Sequence, residues 1–360
     1  MSLTLMNAAD VLAQLDSFDT VIDARSEAEF ALDHLPGAVN WPTLNDEERK
    51  LIGTMYVQVN QFEAKKRGAA MAARNIAAHI DREVIDKPRE WRPLAYCWRG
   101  GKRSGSLSLI LDQIGFRVTL VEGGYKAFRA AMLLDIPQQV DRLNFQVICG
   151  TTGSGKTRLL QALAIAGAQV LDLEALANHR SSVLGAIPGL AQPSQKHFDS
   201  LVWDAVRGFD PARPVFVESE SKKVGNVVVP TTLVERMRNS PCLDLTLPMQ
   251  ERVALLMEDY DFFVKDSAHF FQRLDVLAEF RGKAVVQAWK EQVTNGKVES
   301  VVHDLLTQHY DPVYLQSMQR NFRHYPQALS ITPSDRSIGA MRQLAEHLLA
   351  GSERIGGLKD

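Results

Sequence analysis

The sequence has few cysteines, almost no net charge and no long apolar run. Three cysteines among 360 residues are too few for a disulfide scaffold and are typical of a reducing compartment. Lys and Arg total 41 and Asp and Glu total 43, for a formal net charge of −2. This balance excludes a strong overall attraction to nucleic acid, although it leaves room for a local basic patch.

No segment resembles a membrane span or a secretion signal. The most apolar long stretch, residues 159–171, contains two glutamines and is shorter than the roughly 20 residues that cross a bilayer. The amino-terminal residues have no basic cluster and reach Asp10 before an apolar core forms. We therefore expect a soluble, cytoplasmic protein.

The first part of the chain alternates strand-like runs with helical patterns. Short β-branched or apolar runs occupy residues 18–23, 93–96 and 117–121, and residues 104–114 have the apolar spacing of a helix. This alternation predicts a parallel sheet covered by helices. Ligands of such sheets bind beyond the carboxyl ends of the strands.

A second α/β unit follows, and the last part of the chain is helical in pattern. An apolar run over residues 144–149 leads into a glycine-rich turn, and helical spacing begins after about Pro248. We therefore predict three regions: an α/β domain over residues 1–138, a second α/β domain over 139–248, and a helical C-terminal region over 249–360 that packs on the second domain.

The glycine-rich turn, GTTGSGKT at residues 150–157, matches the phosphate-binding pattern G-x-x-x-x-G-K-[ST]. Backbone N–H groups of such a loop surround phosphate oxygens, and the helix that follows directs its positive end at the same anion. The pattern predicts a phosphate site without choosing between a nucleotide and a diphosphate. The residues expected to bind phosphate are Thr152, Gly153, Ser154, Gly155, Lys156 and Thr157, and Thr157 can also hold Mg²⁺.

Glu218 is a further candidate for this site. It ends the apolar run of residues 214–217, where a nucleotide hydrolase usually carries an acidic partner for the metal. Glu218 can hold Mg²⁺-bound water, act as a second-site acid or base, or cap the next element.

Cys97 begins the run CWRGGKRS between a predicted strand and a predicted helix. A helix amino terminus and nearby cations both favour the reactive thiolate, and a tight loop can direct N–H groups at an anion. We therefore predict an anionic substrate beside a nucleophilic sulfur. The anion-binding residues expected with catalytic Cys97 are Arg99, Gly100, Gly101, Lys102, Arg103 and Ser104. Cys149 and Cys242 lack this setting and are predicted to be structural.

Four stretches resemble a rhodanese domain: FDTVIDAR at residues 18–25, HLPGA at 34–38, the Cys97 loop and EGGYKA at 122–127. A rhodanese domain followed by this phosphate loop resembles the bacterial tRNA 2-selenouridine synthase family. The stretches VLDLEALANHR at 170–180 and VESESKKVG at 217–225 resemble that family too. The resemblance spans about residues 10 to 260, and the order of the two loops is its specific feature. It predicts a rhodanese-like parallel-sheet domain, a P-loop α/β domain and a helical C-terminal region.

This resemblance implies a transferase that converts wobble 2-thiouridine in tRNA to 2-selenouridine. Geranyl diphosphate would supply a geranyl group to the sulfur from the phosphate loop, with Lys156 stabilising the departing charge. Selenophosphate, which its synthase can deliver, would then supply selenium at Cys97. A covalent selenium adduct on Cys97 is left open. We expect no tightly bound cofactor and no metal site other than Mg²⁺ at the phosphate loop.

A tRNA substrate requires a contact surface, and basic residues outnumber acidic ones between residues 61 and 105. Trp91 and Trp98 lie in the same stretch and can stack on a splayed base, although a solvated helix face with core tryptophans gives the same pattern. The predicted tRNA contacts are Lys65, Lys66, Arg67, Arg74 and Trp98. His34 and His197 lack metal-ligand spacing, so we predict that neither binds a metal.

Two other functions remain open from the residues. One is a sulfurtransferase coupled to an ATP- or GTP-binding P-loop module, with no tRNA. The other is a regulatory protein whose partner contacts depend on bound nucleotide.

Overall fold

A computed structural model of the chain describes residues 3–180, 189–259 and 267–356. The chain forms two compact units. Unit 1 comprises Met1–Gln138 and Pro193–Asp204, and unit 2 comprises Gln139–Gln192 and Ala205–Asp360. A short segment from the second half of the chain therefore belongs to unit 1. The division of the sequence at residues 138 and 248 stays a prediction.

Unit 1 is built on a five-stranded sheet in the order β1-β5-β4-β2-β3, and all its strand pairs are parallel. The strands are β1 (Thr4–Met6), β2 (Thr20–Asp23), β3 (Ala38–Asn40), β4 (Pro93–Tyr96) and β5 (Thr119–Val121). The helices are α1 (Ala8–Gln14), α2 (Glu27–Leu32), α3 (Asp46–Gln58), α4 (Gln61–Glu83), α5 (Lys102–Ile114) and α6 (Gly124–Asp141), which continues into unit 2.

The core of unit 1 explains why these elements form. All four residues of β4 are buried, as expected for a central parallel strand covered on both faces. Leu107 and Leu111 of α5 pack in one cluster with Ile22 and Ala95 of the sheet. Trp91 joins this cluster, and its indole N–H donates to the Thr20 hydroxyl at 3.0 Å. Trp91 is therefore a core residue, and the idea that it stacks on a base is wrong.

Unit 2 has a second five-stranded sheet, in the order β12-β11-β6-β8-β7, again with parallel pairs. Its strands are β6 (Asn144–Cys149), β7 (Gln169–Leu171), β8 (Pro214–Glu218), β11 (Cys242–Leu245) and β12 (Leu329–Ile331), and β9 (Lys223–Val224) with β10 (Val227–Val228) forms a separate antiparallel pair.

The helices after α6 belong to unit 2, except for α9, most of which belongs to unit 1. They are α7 (Lys156–Ile165), α8 (Leu173–Leu176), α9 (Gln195–Arg207), α10 (Thr231–Arg238), α11 (Met249–Asp259), α12 (Ser267–Val276), α13 (Ala278–Arg281), α14 (Lys283–Thr294), α15 (Val298–Leu305), α16 (Asp311–Asn321) and α17 (Ile338–Gly356). A π-helical stretch, Leu306–Tyr310, connects α15 to α16.

The C-terminal region is mostly helical, as predicted, but it also completes the sheet. Strand β12 pairs with β11 at the sheet edge. Met341 and Ala345 of α17 are fully buried in one core with Leu159 and Leu163 of α7. Because α17 covers the helix that follows the glycine-rich loop, the end of the chain supports the predicted phosphate site. No helix within the described ranges has both the length and the apolarity of a membrane span.

Candidate functional site

Cys97 follows β4 directly, at the carboxyl edge of the first sheet. Its side chain is 3% exposed. The sulfur accepts hydrogen bonds from the Gly101 amide at 3.2 Å and from the Ser104 hydroxyl at 3.1 Å. Two predicted residues of the loop thus direct hydrogen-bond donors at the sulfur.

A glycine turn supports this loop from behind. Tyr125 donates its backbone N–H to the Cys97 carbonyl at 2.8 Å. Gly124 has a φ of +59°, and a Cβ there would lie 2.3 Å from the Cys97 carbonyl oxygen and 2.4 Å from the Gly100 nitrogen. Only glycine permits so close an approach. The run EGGY therefore shapes the thiol loop although it lies more than twenty residues away in sequence.

The three cations of the loop differ in their surroundings. Arg99 and Lys102 are exposed, whereas Arg103 pairs with Glu29 at 2.6 Å. Burial alone would raise the pKa of Glu29, but the hydrogen bonds and charge of Arg103 outweigh it and hold this pKa below its ordinary value. A guanidinium has five N–H donors, so Arg103 can bind Glu29 and still present donors to an anion.

A buried polar network fixes the strand ends around the loop. The Arg25 guanidinium pairs with Asp23 at 2.6 Å, and both residues are at most 1% exposed. Tyr96 donates its hydroxyl to Asp23 at 2.7 Å, and burial raises its pKa well above the ordinary value. Because this network joins the ends of β2 and β4, it holds Cys97 in place without supplying a reactive group.

A second cluster of polar residues in unit 1 includes His197, from the segment Pro193–Asp204. Asp33 is 1% exposed and accepts the Tyr125 hydroxyl at 2.6 Å. His197 lies 3.6 Å from the same carboxylate, and its ring centroid is 4.8 Å from that of His34. The proximity of His197 to His34 could not be predicted from the sequence, because the two residues are more than 160 positions apart. The prediction that neither histidine binds a metal stays a prediction.

The phosphate loop follows β6 in the second sheet. The Lys156 ammonium donates to the Gly150 carbonyl at 2.6 Å, so its side chain folds back over the loop. Gly150 has a φ of +148°, and a Cβ there would lie 2.6 Å from the Leu245 carbonyl oxygen of β11. The first glycine of the motif is therefore needed for the loop to pack against the neighbouring strand.

Two side chains from the C-terminal region hold the phosphate loop. Arg252 of α11 donates to the Thr152 carbonyl at 2.7 Å and pairs with Asp311 at 2.6 Å. The hydroxyl of Tyr314 accepts the Gly150 amide at 2.7 Å, and burial raises the pKa of Tyr314 well above its ordinary value. Arg252, Tyr314 and the Asp311 partner of Arg252 were not predicted from the sequence. They lie at least 100 residues after Thr152, and no local pattern relates α11 or α16 to the loop.

An acidic cluster adjoins the loop. Carboxylate oxygens of Glu174, Glu218 and Glu220 all lie within 4.8 Å of one another. Glu218 is fully buried; one of its oxygens accepts the Glu174 amide at 3.1 Å, and the other has no hydrogen-bond partner among the described residues. Burial, with the neighbouring carboxylates, raises the pKa of Glu218. The Thr157 hydroxyl donates to Glu174 at 3.3 Å.

This donor set fits a hard divalent cation. Mg²⁺ prefers carboxylate and hydroxyl oxygens, and a cation would remove the repulsion that raises the pKa of Glu218. Glu174 was not predicted as part of the site. The stretch VLDLEALANHR marked its neighbourhood, but only the fold brings β7 and β8 together.

The phosphate loop and the acidic cluster open into one cleft of about 980 Å³. Lys156, Thr157 and the three glutamates line it on the polar side. Apolar side chains line it as well, namely Leu190, Leu255, Leu256, Val313, Met318 and Phe322. The cleft can therefore hold a ligand with a charged head and an apolar body.

The predicted tRNA contacts lie in unit 1. Lys65, Lys66, Arg67 and Arg74 are exposed on α4, where Lys66 pairs with Glu63 at 2.6 Å. Trp98 is half-buried and stacks on Tyr125, with ring centroids 5.4 Å apart. These positions are accessible to a partner, and their contact with tRNA stays a prediction.

Two family models match the chain in succession. The model for a rhodanese-like domain matches residues 7–131, and the model for the tRNA 2-selenouridine synthase AAA domain matches residues 143–280. These matches, with the two parallel sheets, confirm the predicted fold class. The class of protein is thus one in which a rhodanese-like thiol domain precedes a P-loop domain.

Relatives identify the particular family. A tRNA 2-selenouridine synthase of Nitrosomonas europaea is 38% identical over 256 residues, covering 70% of this chain and 66% of the relative. Proteins of the same name from Marinobacter nauticus and a Sulfurovum species are 31% and 32% identical, covering 82% and 84% of this chain and 87% and 89% of the relatives. The chain therefore belongs to the tRNA 2-selenouridine synthase family.

Proposed function

We propose that this chain converts wobble 2-thiouridine in tRNA to 2-selenouridine through an S-geranyl intermediate. Geranyl diphosphate and selenophosphate are the two donors. The observation that carries the proposal is the unit 2 cleft, which is lined by the phosphate loop and by several apolar side chains. A prenyl diphosphate needs both a phosphate loop and apolar side chains, whereas a nucleoside triphosphate has no apolar tail to bury.

The first transfer takes place at the phosphate loop. The thiouridine sulfur attacks the allylic carbon of geranyl diphosphate, a carbon–sulfur bond forms, and the carbon–oxygen bond breaks. The N3 proton of the thiouracil ring is lost to water, which leaves the neutral S-geranyl product. Diphosphate leaves with the electron pair. Lys156 and the loop N–H groups from Thr152 to Thr157 stabilise the departing charge, because they are held in place before the charge develops.

A divalent cation is proposed for the same site. Thr157 and the carboxylates of Glu174, Glu218 and Glu220 would hold Mg²⁺, supported by the partnerless oxygen of Glu218 among the described residues. When bound, the cation supplies further positive charge for the diphosphate. Without it, Glu218 holds its proton more tightly than an ordinary glutamate.

The second transfer takes place at the thiol loop. Alkylation turns the uridine sulfur into a better leaving group. Selenium adds at the ring carbon, the carbon–sulfur bond breaks, and the geranyl thiolate leaves with the electron pair. Hydrolysis of the phosphorus–selenium bond releases phosphate. Cys97, its loop donors and the cations Arg99, Lys102 and Arg103 hold the selenium-bearing anion for this step.

The exposed cations of α4 are proposed to position the tRNA. Lys65, Lys66, Arg67 and Arg74 would bind backbone phosphates, which supply much of the affinity for RNA without reading its sequence. Trp98 would offer an aromatic face beside the thiol loop.

The test is mass spectrometry of nucleosides from 2-thiouridine tRNA incubated with the protein and geranyl diphosphate, and then with selenophosphate. Cys97→Ala should accumulate S-geranyl-2-thiouridine without 2-selenouridine. Lys156→Ala should slow geranylation by about 100-fold or more, the usual effect of removing a group that stabilises transition-state charge. A matched control is Lys283→Ala, which removes an exposed lysine distant in sequence from both loops.

A different result identifies the alternative function. If the tRNA is unchanged by the wild type while ATP or GTP is hydrolysed, the proposal is wrong and a nucleotide-driven sulfurtransferase takes its place.

A further inference from the structure

The short helix α8 ends in a turn at Asn178, and the next residue, His179, lines the cleft. Asn178 has a φ of +50° and is the non-glycine residue with positive φ among those described. The amide of Asn178 donates to the Ala175 carbonyl at 3.1 Å and that of His179 to the Glu174 carbonyl at 3.0 Å. These bonds form the Schellman pattern that closes a helix, with asparagine at the left-handed position. They fix the direction in which the chain leaves α8, at His179.

The same short helix thus supplies two different groups to the cleft. Glu174, within the helix, joins the acidic cluster and accepts the Thr157 hydroxyl. His179, just after it, lines the cleft outside the phosphate loop.

His179 is oriented into the cleft with unused hydrogen-bonding capacity. The residue is only 9% exposed, and its Nδ1 has no hydrogen-bond partner among the described residues. An unpartnered buried nitrogen is costly, and a ligand in the cleft would satisfy it.

Arg273 of α12 adds a positive charge nearby. Arg273 lines the same cleft. Burial lowers the pKa of His179, and the positive charge of Arg273 lowers this pKa further. The imidazole can donate one N–H to an anion in the cleft. An N–H donor and a guanidinium that line the same cleft are matched to an anionic oxygen.

We propose that His179 and Arg273 form a second anion subsite in the unit 2 cleft, which binds a backbone phosphodiester of the tRNA. This inference rests on the proposed function, in which the phosphate loop is already occupied by diphosphate. A phosphodiester carries one negative charge, and RNA that presents a base to the cleft brings its flanking phosphates with it. The stretch VLDLEALANHR thereby serves both the acidic cluster and the tRNA.

The test measures RNA binding without any prenyl donor. Fluorescence anisotropy of a labelled anticodon stem-loop is followed against the full chain at several KCl concentrations, for wild type, His179→Gln, Arg273→Gln and Arg273→Lys. Arg273→Gln should weaken binding about tenfold and reduce the slope of log affinity against log salt by roughly one phosphate contact. His179→Gln should weaken binding with little change in slope, and Arg273→Lys should restore the slope.

Arg342→Gln is the matched control, because Arg342 is exposed on α17 and its loss changes the net charge equally. Binding of inorganic diphosphate is measured beside it by calorimetry. Arg273→Gln should keep wild-type diphosphate affinity, whereas Lys156→Ala should lose it. Inorganic phosphate alone should compete weakly with the stem-loop, since it makes only one of the RNA contacts.

Three results would overturn the subsite. One is a wild-type salt slope for Arg273→Gln; another is an equal loss of diphosphate affinity, which would assign Arg273 to the phosphate loop. The third is a salt slope in Arg342→Gln that falls as far as in Arg273→Gln. Failure of the proposed function looks different: geranyl transfer would be absent while stem-loop binding still depended on Arg273. Arg273→Lys keeps the test valid if Arg273→Gln does not fold.

Discussion

The thiol loop and the phosphate loop occupy equivalent positions in their two sheets, but their functional side chains differ in chemistry. Each loop follows a central parallel strand and precedes a helix. At the thiol loop the enclosed group is the Cys97 sulfur, with donors from Gly101 and Ser104. At the phosphate loop it is the Lys156 ammonium, anchored on the Gly150 carbonyl. One side chain decides whether the loop can supply a nucleophile or stabilise a leaving group.

The two loops also differ in how they are supported. The thiol loop packs against backbone, where Gly124 approaches the Cys97 carbonyl oxygen and the Gly100 nitrogen. The phosphate loop is held by side chains from distant helices, namely Arg252 and Tyr314. The first support should be sensitive to any added methyl group, and the second to loss of a charge or a hydroxyl.

The largest expected effect is at Arg252. Arg252→Met leaves the Asp311 carboxylate and the Thr152 carbonyl without their partner, and removing one member of a buried ion pair costs about 3–5 kcal/mol. Urea unfolding should show this loss in the transition of unit 2. The matched control is Arg336→Met, which breaks pairs with Glu251 and Glu258 that are more exposed and should therefore cost much less. Equal costs for the two variants would contradict the proposed support.

Gly124 tests the support of the thiol loop. Gly124→Ala forces a Cβ to within 2.3 Å of the Cys97 carbonyl oxygen at a φ of +59°, and we expect a loss of roughly 2–4 kcal/mol from strain and overpacking. Gly101→Ala is the control, since no atom lies within 4 Å of its added Cβ. Thermal unfolding distinguishes them. A Gly124→Ala protein as stable as Gly101→Ala would show that the turn can move away.

Substitution of Glu218 should change stability least, and the informative result is the direction of that change with pH. The pKa of Glu218 is raised in the folded chain by burial and by neighbouring carboxylates, so the folded state binds this proton more tightly than the unfolded state. Stability therefore falls as pH rises above the ordinary glutamate range. In EDTA, Glu218→Gln should gain melting temperature relative to wild type as pH is raised from 5 to 8.

Two controls sharpen the Glu218 measurement. Glu235→Gln is the first control, because it removes one carboxylate from an exposed position of the same unit. Added Mg²⁺ should stabilise the wild type more than Glu218→Gln. A pH-independent difference for Glu218→Gln would mean that this carboxylate is ionised in the folded chain without penalty.

Contiguous stretches allowed much of this architecture to be predicted. Strand β6, the glycine-rich loop and α7 follow one another along the chain. The phosphate site could therefore be predicted from the fourteen neighbouring residues 144–157, which contain the strand and the glycine-rich motif. The Cys97 loop was equally visible between β4 and α5. The edge strands β1 and β12 were missed, because three partly exposed residues are too few to show a period.

Contacts over long distances in sequence could not be predicted. Arg252 and Tyr314 reach the phosphate loop from 100 and 164 residues away. Glu174 meets Glu218 only because β7 pairs with β8. Single charged or aromatic residues on amphipathic helices look alike in sequence, and the fold alone selects the few that face the loop.

The most direct test of the division between the loops starts from tRNA that already carries S-geranyl-2-thiouridine. Lys156→Ala is given this tRNA with selenophosphate, and 2-selenouridine is measured by mass spectrometry. The account predicts conversion within a few-fold of wild type, because the phosphate loop has no part in the second transfer, and no conversion by Cys97→Ala. Failure of Lys156→Ala on the geranylated tRNA, or conversion by Cys97→Ala, would contradict the assignment of the two transfers to separate loops.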